Sequence, residues 1–248
     1  MVSTVIFVFG LMVGSFLNVV IFRLASRESF LTSRSRCPHC RQTIAWYDNI
    51  PLLSFVLLLG RCRRCKAPIS WQYPLVELVT GIALILLYWR FGLTLDMVVL
   101  SIFSGFLVII FVYDWRHGMI LDAVTLPAMA VALVGSLIRG LGLPALLIGA
   151  AIGGGFFVGQ YTISRGRWIG GGDIRLGALM GLMLGWQLLL VAGLIAYVSG
   201  AAVALVLLST RRKQLASPIA FGTFLSAATF VAFLWGQNVL DWYLGIIL

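Results

Sequence analysis

Apolar runs long enough to cross a bilayer dominate this chain and leave little room for an ordinary soluble core. A spanning helix needs about 20 consecutive apolar residues. Such stretches run near 2–22, 73–89, 97–113, 121–138, 143–163, 187–208 and 218–236. The interval 176–209 is too long for one span, so a turn at Gly185-Trp186-Gln187 is expected to divide it, with a short span over 174–185. The expected fold class is all-α: a polytopic integral membrane protein of about eight transmembrane helices. Hydrophobic residues make up 61% of the chain and charged residues 10%, which excludes a soluble globular domain.

The net charge of +10 is explained by topology. With the N-terminus outside, nine basic residues of one polar loop fall inside: Arg23, Arg27, Arg34, Arg36, Arg41, Arg61, Arg63, Arg64 and Lys66. Arg116, Arg165, Arg167, Arg175, Arg211, Arg212 and Lys213 join them, leaving only Arg90 and Arg139 outside. Positive charge stays on the cytoplasmic side of a membrane protein. The partner this implies is the lipid bilayer, and no nucleic acid is needed. The first run has neither a basic leader region nor a small-residue cleavage site, so it reads as a retained anchor.

The expected organisation is a first span at 1–22, a cytoplasmic loop at 23–72 and a membrane domain at 73–248. The loop's IPLLSFVLLLG run (50–60) is too short to span, and fits an interfacial or re-entrant piece. The loop also holds all four cysteines, as Cys37-Pro38-His39-Cys40 and Cys62-Arg63-Arg64-Cys65. Two C-x2-C pairs supply the four thiolates of a closed, structural zinc site. Disulfides are the alternative, but they rarely persist in a reducing compartment. No internal repeat stands out.

Carboxylates are scarce, and four of the eight lie in or beside apolar runs: Glu77, Asp114, Asp122 and Asp173. An acid set against hydrocarbon is a functional candidate by default. Asp114 and Asp173 fall at the cytoplasmic ends of their spans, where helix packing could bring them together. Two carboxyls in one apolar site share a proton, so one acts as acid and the other as base. Such a pair activates water for attack on a peptide bond. The alternative is that the two acids cap helices or neutralise Arg116 and Arg175. Gly170 and Gly172 allow a tight turn before Asp173. Asp122 suits a helix N-cap, and Glu77 suits a buried partner for an arginine or an amide.

Taken in order, these motifs resemble those of the bacterial prepilin peptidases, the type IV leader peptidases of the GxGD aspartyl protease group. The resemblance rests on GSFLNVVIFRL (14–24), on the cysteine loop with its following segment (37–81), and on two acid motifs. D-x6-P-[DN] falls on Asp114 and Asp122, and GxGD falls on Gly170, Gly172 and Asp173. Leu121 replaces the usual proline, and Arg175 the usual lysine.

The resemblance implies that Asp114 and Asp173 cut the leader from prepilins or pseudopilins at the cytoplasmic face of the inner membrane. It further implies S-adenosylmethionine-dependent methylation of the new N-terminus, linked to the cysteine loop. A proton-coupled transporter using Glu77, Asp114 and Asp173, and a non-enzymatic zinc-loop scaffold, are the competing readings.

Overall fold

The computed structural model describes residues 1–26, 35–210 and 220–247. Arg27, Arg34, Arg211, Arg212 and Lys213, counted above, and the expected start of the last span at 218 lie outside them. Described residues form helices α1 (Val2–Ser26), α2 (Leu53–Leu57), α3 (Gln72–Phe91), α4 (Leu95–His117), α5 (Asp122–Ile138), α6 (Leu143–Ser164), α7 (Gly171–Ser209) and α8 (Phe221–Ile247). They divide into two compact units, Met1–Leu93 and Thr94–Leu248. Helix α3, which a division at residue 73 gives to the membrane domain, packs within the first unit.

Apolar surface gives no net drive for helices to associate in lipid, so close backbone approach at small residues does this work. In the first unit, Gly10 and Gly14 stand one turn apart on α1. A Cβ at Gly10 would lie 2.7 Å from the Gly81 Cα, and one at Gly14 2.7 Å from the Glu77 Cα. The two helices therefore run antiparallel in near-contact. Buried Asn18 fixes their register, donating to the Tyr73 carbonyl at 3.0 Å and accepting from Gln72 Nε2 at 3.3 Å.

The second unit uses the same device. Gly149 and Gly153 of α6 meet Gly181 and Gly177 of α7, with each Cβ position running into the facing backbone. Straight, the 39 residues of α7 would measure about 58 Å, nearly twice the bilayer core. The helix breaks instead at Gly185 (φ 71°, ψ 174°), a conformation glycine adopts freely. Both arms return to α6: a Cβ at Gly149 would sit 3.0 Å from the Trp186 nitrogen, and one at Gly153 3.3 Å from Leu189 Cδ2.

Among the described residues, six helices are long and apolar enough to cross a membrane, and α5 is a shorter apolar helix. With α7 counted as two arms, the expected eight membrane helices and the expected turn at Gly185 are present. Opposite the site described below, Arg139 at the end of α5 is paired with Asp96 at the start of α4, at 2.8 Å.

Candidate active site and metal centre

Asp114 lies in the last turn of α4, which stops because Gly118 takes the left-handed conformation (φ 62°) and donates its N–H to the Asp114 carbonyl at 2.7 Å. Its side chain points into the unit, and the residue is only 4% exposed. Oδ2 accepts the N–H of Thr223 at 3.0 Å, in the first turn of α8. Those first-turn amides have no intrahelical acceptor, so a carboxylate from α4 satisfies the start of α8.

Asp173 is the third residue of α7 and is 7% exposed. Its Oδ2 accepts the Gly170 N–H at 2.9 Å, while its own N–H donates to the Gly170 carbonyl at 3.1 Å. This reciprocal pair closes the turn that begins the helix.

Ile120, in the connector between α4 and α5, wedges the two acids' surroundings together. A Cβ at Gly172 would stand 2.7 Å from the Ile120 Cβ. One at Gly222 would stand 2.8 Å from both Ile120 Cδ1 and Asp114 Oδ2. The end of α4 and the starts of α7 and α8 thus converge, and Asp173 lies within electrostatic reach of Asp114. The break in α7 also brings Tyr197 back to this end, its ring 4.9 Å from that of Phe221.

Asp122 is the first residue of α5, with Leu121 at the capping position and no side-chain cap. The expected N-cap role is therefore corrected: the Asp122 carboxylate is drawn across to Arg175 as an ion pair. Both partners are substantially solvent-exposed, so the pair contributes under about 1 kcal/mol and acts mainly to orient α5 against α7. Arg175 pairs with Asp122 and not with Asp173, whereas the capping part of the alternative is present: Asp173 closes the first turn of α7 and Asp114 holds an amide at the start of α8. Asp114, Asp122, Gly170, Gly172, Asp173 and Arg175 share one end of the second unit. Sequence reasoning missed Ile120, Gly222 and Thr223, whose signal is only a Gly-Thr pair at the mouth of the last apolar run.

Glu77 belongs to the first unit. Its Oε2 accepts the backbone N–H of Leu52 at 2.8 Å, which satisfies the amide option expected for it.

The four cysteines also lie in the first unit, with all four Sγ atoms within 4.8 Å of one another. Cys37 and Cys65 are 3.8 Å apart, far beyond the ~2.05 Å of a disulfide. Two equivalent knuckles present them. Cys37 N–H bonds the Gln42 carbonyl and Arg41 N–H the Cys37 carbonyl, at 2.9 and 2.8 Å. Twenty-five residues on, Cys62 and Lys66 repeat both bonds at 2.9 and 3.0 Å. Arg41 (φ 56°) and Lys66 (φ 58°) turn the chain in the same way. The expectation of no internal repeat is thus corrected: R-C-x2-C-[RK]-x2-I-x-W at residues 36–46 recurs at 61–71, in letters as in backbone course. Backbone N–H groups of Cys65 and Arg64 pull the Cys62 thiol down to about 7. At Cys65 the pull of the Ala67 N–H is outweighed by burial and the neighbouring thiols, and the group is pushed up to about 11. Four sulfurs held within 4.8 Å of one another would repel as thiolates, an arrangement suited to a cation that neutralises them together.

Two family models match the chain: the bacterial peptidase A24 N-terminal domain over residues 8–91, and the type IV leader peptidase family over residues 101–205. Among curated proteins, a prepilin leader peptidase/N-methyltransferase of Myxococcus xanthus is 42% identical over 84% of this chain. The chain spans 64% of that relative's length. Proteins of the same description from Aeromonas hydrophila and Bacillus subtilis are 34% and 32% identical, each over 97% of this chain and over 93% and 97% of their own lengths. No solved structure matches.

Proposed function

Because the chain belongs to the type IV leader peptidase family, we propose that it is a membrane aspartyl endopeptidase that removes the basic leader of a prepilin or pseudopilin and then methylates the new N-terminus. The observation that carries the first activity is the convergence of Asp114 and Asp173 at one end of the second unit. Each carboxylate has Oδ2 engaged by a backbone N–H, which demands an acceptor there. The exchangeable proton therefore resides on the opposite oxygen of one partner. The ionised carboxyl takes a proton from water as it attacks the scissile carbonyl, and the protonated one donates to the developing oxyanion; the first then passes its newly acquired proton to the leaving amine while the second takes one back from a hydroxyl of the tetrahedral intermediate. Neither a covalent nucleophile nor a serine–histidine pair is required.

The side is assigned from charge: positive loops stay in the cytoplasm. Asp114 and Asp173 then act at the inner face of the inner membrane, where a basic leader joined to an apolar helix presents its junction. The peptidase belongs to Thr94–Leu248, and the methyl transfer to the unit that holds the cysteine loop. S-adenosylmethionine would supply the methyl group there. The Cys37–Cys65 distance fits zinc, since sulfurs held tetrahedrally at about 2.3 Å from one ion lie roughly 3.8 Å apart. Cys37, Cys40, Cys62 and Cys65 would fill its shell, leaving a structural staple with no open position. Acids grouped at one end of a bundle suit a surface hydrolase better than a relay across the membrane.

Mass spectrometry of a prepilin co-expressed with this chain tests both activities at once. The product is expected to lack its leader and carry one added methyl group; an untouched precursor would reject the reading. Metal removal separates the halves. Cys62→Ser is expected to lose bound zinc, measured by elemental analysis, and to lose methylation while leader cleavage persists.

A further inference from the structure

The loop segment 46–57 turns large apolar side chains outward. Trp46 is 80% exposed, Val56 66% and Leu57 71%, with Leu53 half-exposed beside them. So dense an apolar surface marks a partner that is not water. Its depth can be read from α3. The 20 residues of α3 rise about 30 Å, the thickness of the hydrocarbon core, with Trp71 and Trp89 at its two ends as at membrane interfaces. Glu77 lies five residues into that helix, about 8 Å below its start. The Leu52 N–H is bonded to the Glu77 carboxylate.

Helix α1, placed by its contacts with α3, carries the scale further down. Gly14 abuts Glu77 and Gly10 abuts Gly81, so Val8, Leu11 and Met12 stand near the middle of the slab. Those three residues form one wall of an open apolar cleft of about 420 Å³, and Trp46, Asn49, Ile50 and Pro51 form the other. The loop therefore descends beside α1 and climbs back, with Phe55 reaching Trp71 at a ring distance of 4.9 Å.

We propose that residues 46–57 are a re-entrant segment sunk into the acyl-chain region of one leaflet, with lipid hydrocarbon as its partner and an acyl chain filling the cleft beside Val8, Leu11 and Met12. Irregular backbone survives at that depth only when its polar groups are satisfied internally. Here the Leu52 N–H goes to Glu77, the Leu53 N–H to the Pro51 carbonyl at 2.6 Å, and the Ser54 N–H to the Ile50 carbonyl at 3.0 Å. Ser54 Oγ donates to the Tyr47 carbonyl at 2.9 Å. The one acid in the segment, Asp48, enters paired with Arg63 through bonds of 2.7–3.1 Å. Arginine's long stem lets its head reach toward the interface from there. The segment thereby tethers the cysteine knuckles to the membrane surface. This inference rests on the membrane reading of α1 and α3, and stands whether or not the chain is a peptidase.

The test uses the full-length protein in phosphatidylcholine vesicles whose acyl chains carry bromine. The difference between wild type and Trp46→Phe isolates the fluorescence of Trp46. Bromine in the chains is expected to remove most of that emission, and aqueous acrylamide to leave it. Leu57→Trp in the Trp46→Phe background gives a second reporter with the same expected pattern. Quenching of either reporter by acrylamide and not by bromine overturns the proposal.

Discussion

Asp173→Asn is expected to insert and fold as the wild type does, yet to lose leader cleavage by roughly 10²–10⁴-fold, the worth of a positioned acid–base group. Asparagine still offers a carbonyl oxygen to the Gly170 N–H, so the turn at the head of α7 survives. What goes is the ability to hold or release a proton. Asp114→Asn should behave alike, because its amide oxygen can keep the Thr223 N–H. The double variant should be hardly worse than either single one, since groups that act as a unit are not additive. Single-turnover cleavage of a purified prepilin, beside a thermal unfolding curve for each variant, reads both halves of this expectation. Two single variants with independent, moderate defects would show that the carboxyls do not work as a pair.

Gly181→Val should act on the fold instead. A Cβ there overlaps the backbone of Gly149 and Ala150 on α6, which no rotamer change relieves. Helices α6 and α7 must separate along their shared seam, and overpacking of this kind costs about 1–3 kcal/mol or more. Gly155→Val and Gly193→Val are the matched controls, because nothing lies within 4 Å of either Cβ position. Equilibrium unfolding in mixed micelles should rank Gly181→Val well below both controls. Equal stability across the three would mean that the helices do not touch at Gly181.

Much of this architecture was legible because membrane spans obey a one-dimensional rule. Length and apolarity alone located the runs, and the excess length of 176–209 demanded the turn that Gly185 makes. The acids stood out because carboxylates are rare in such a chain. Cysteine spacing named four sulfurs, which the structure brings within 4.8 Å. Partner choice was harder to read. Nothing near Asp122 in sequence predicts Arg175, and nothing near Asp114 predicts Thr223, 109 residues away. Those pairings depend on which helix ends share a corner. The glycine seams were present in the spacing of Gly10 and Gly14, of Gly149 and Gly153, and of Gly177 and Gly181. Which seam faces which is settled only in three dimensions. The matching knuckles were legible as letters too, since Arg-Cys-x2-Cys-[Arg/Lys]-x2-Ile-x-Trp recurs after 25 residues, but a motif so short and repeated once is easily passed over beside the long apolar runs.

The reversal at Gly185 also governs the chain's odd–even count. Each crossing swaps the leaflet on which the next residue emerges, and α7 as built crosses twice. Were that residue forced into regular helical dihedrals, one crossing would vanish and α8 would start from the far leaflet. Thr223 could then never reach Asp114. One residue with a backbone angle closed to most side chains decides on which side of the bilayer the last helix begins, and so whether the corner holding both acids can be assembled.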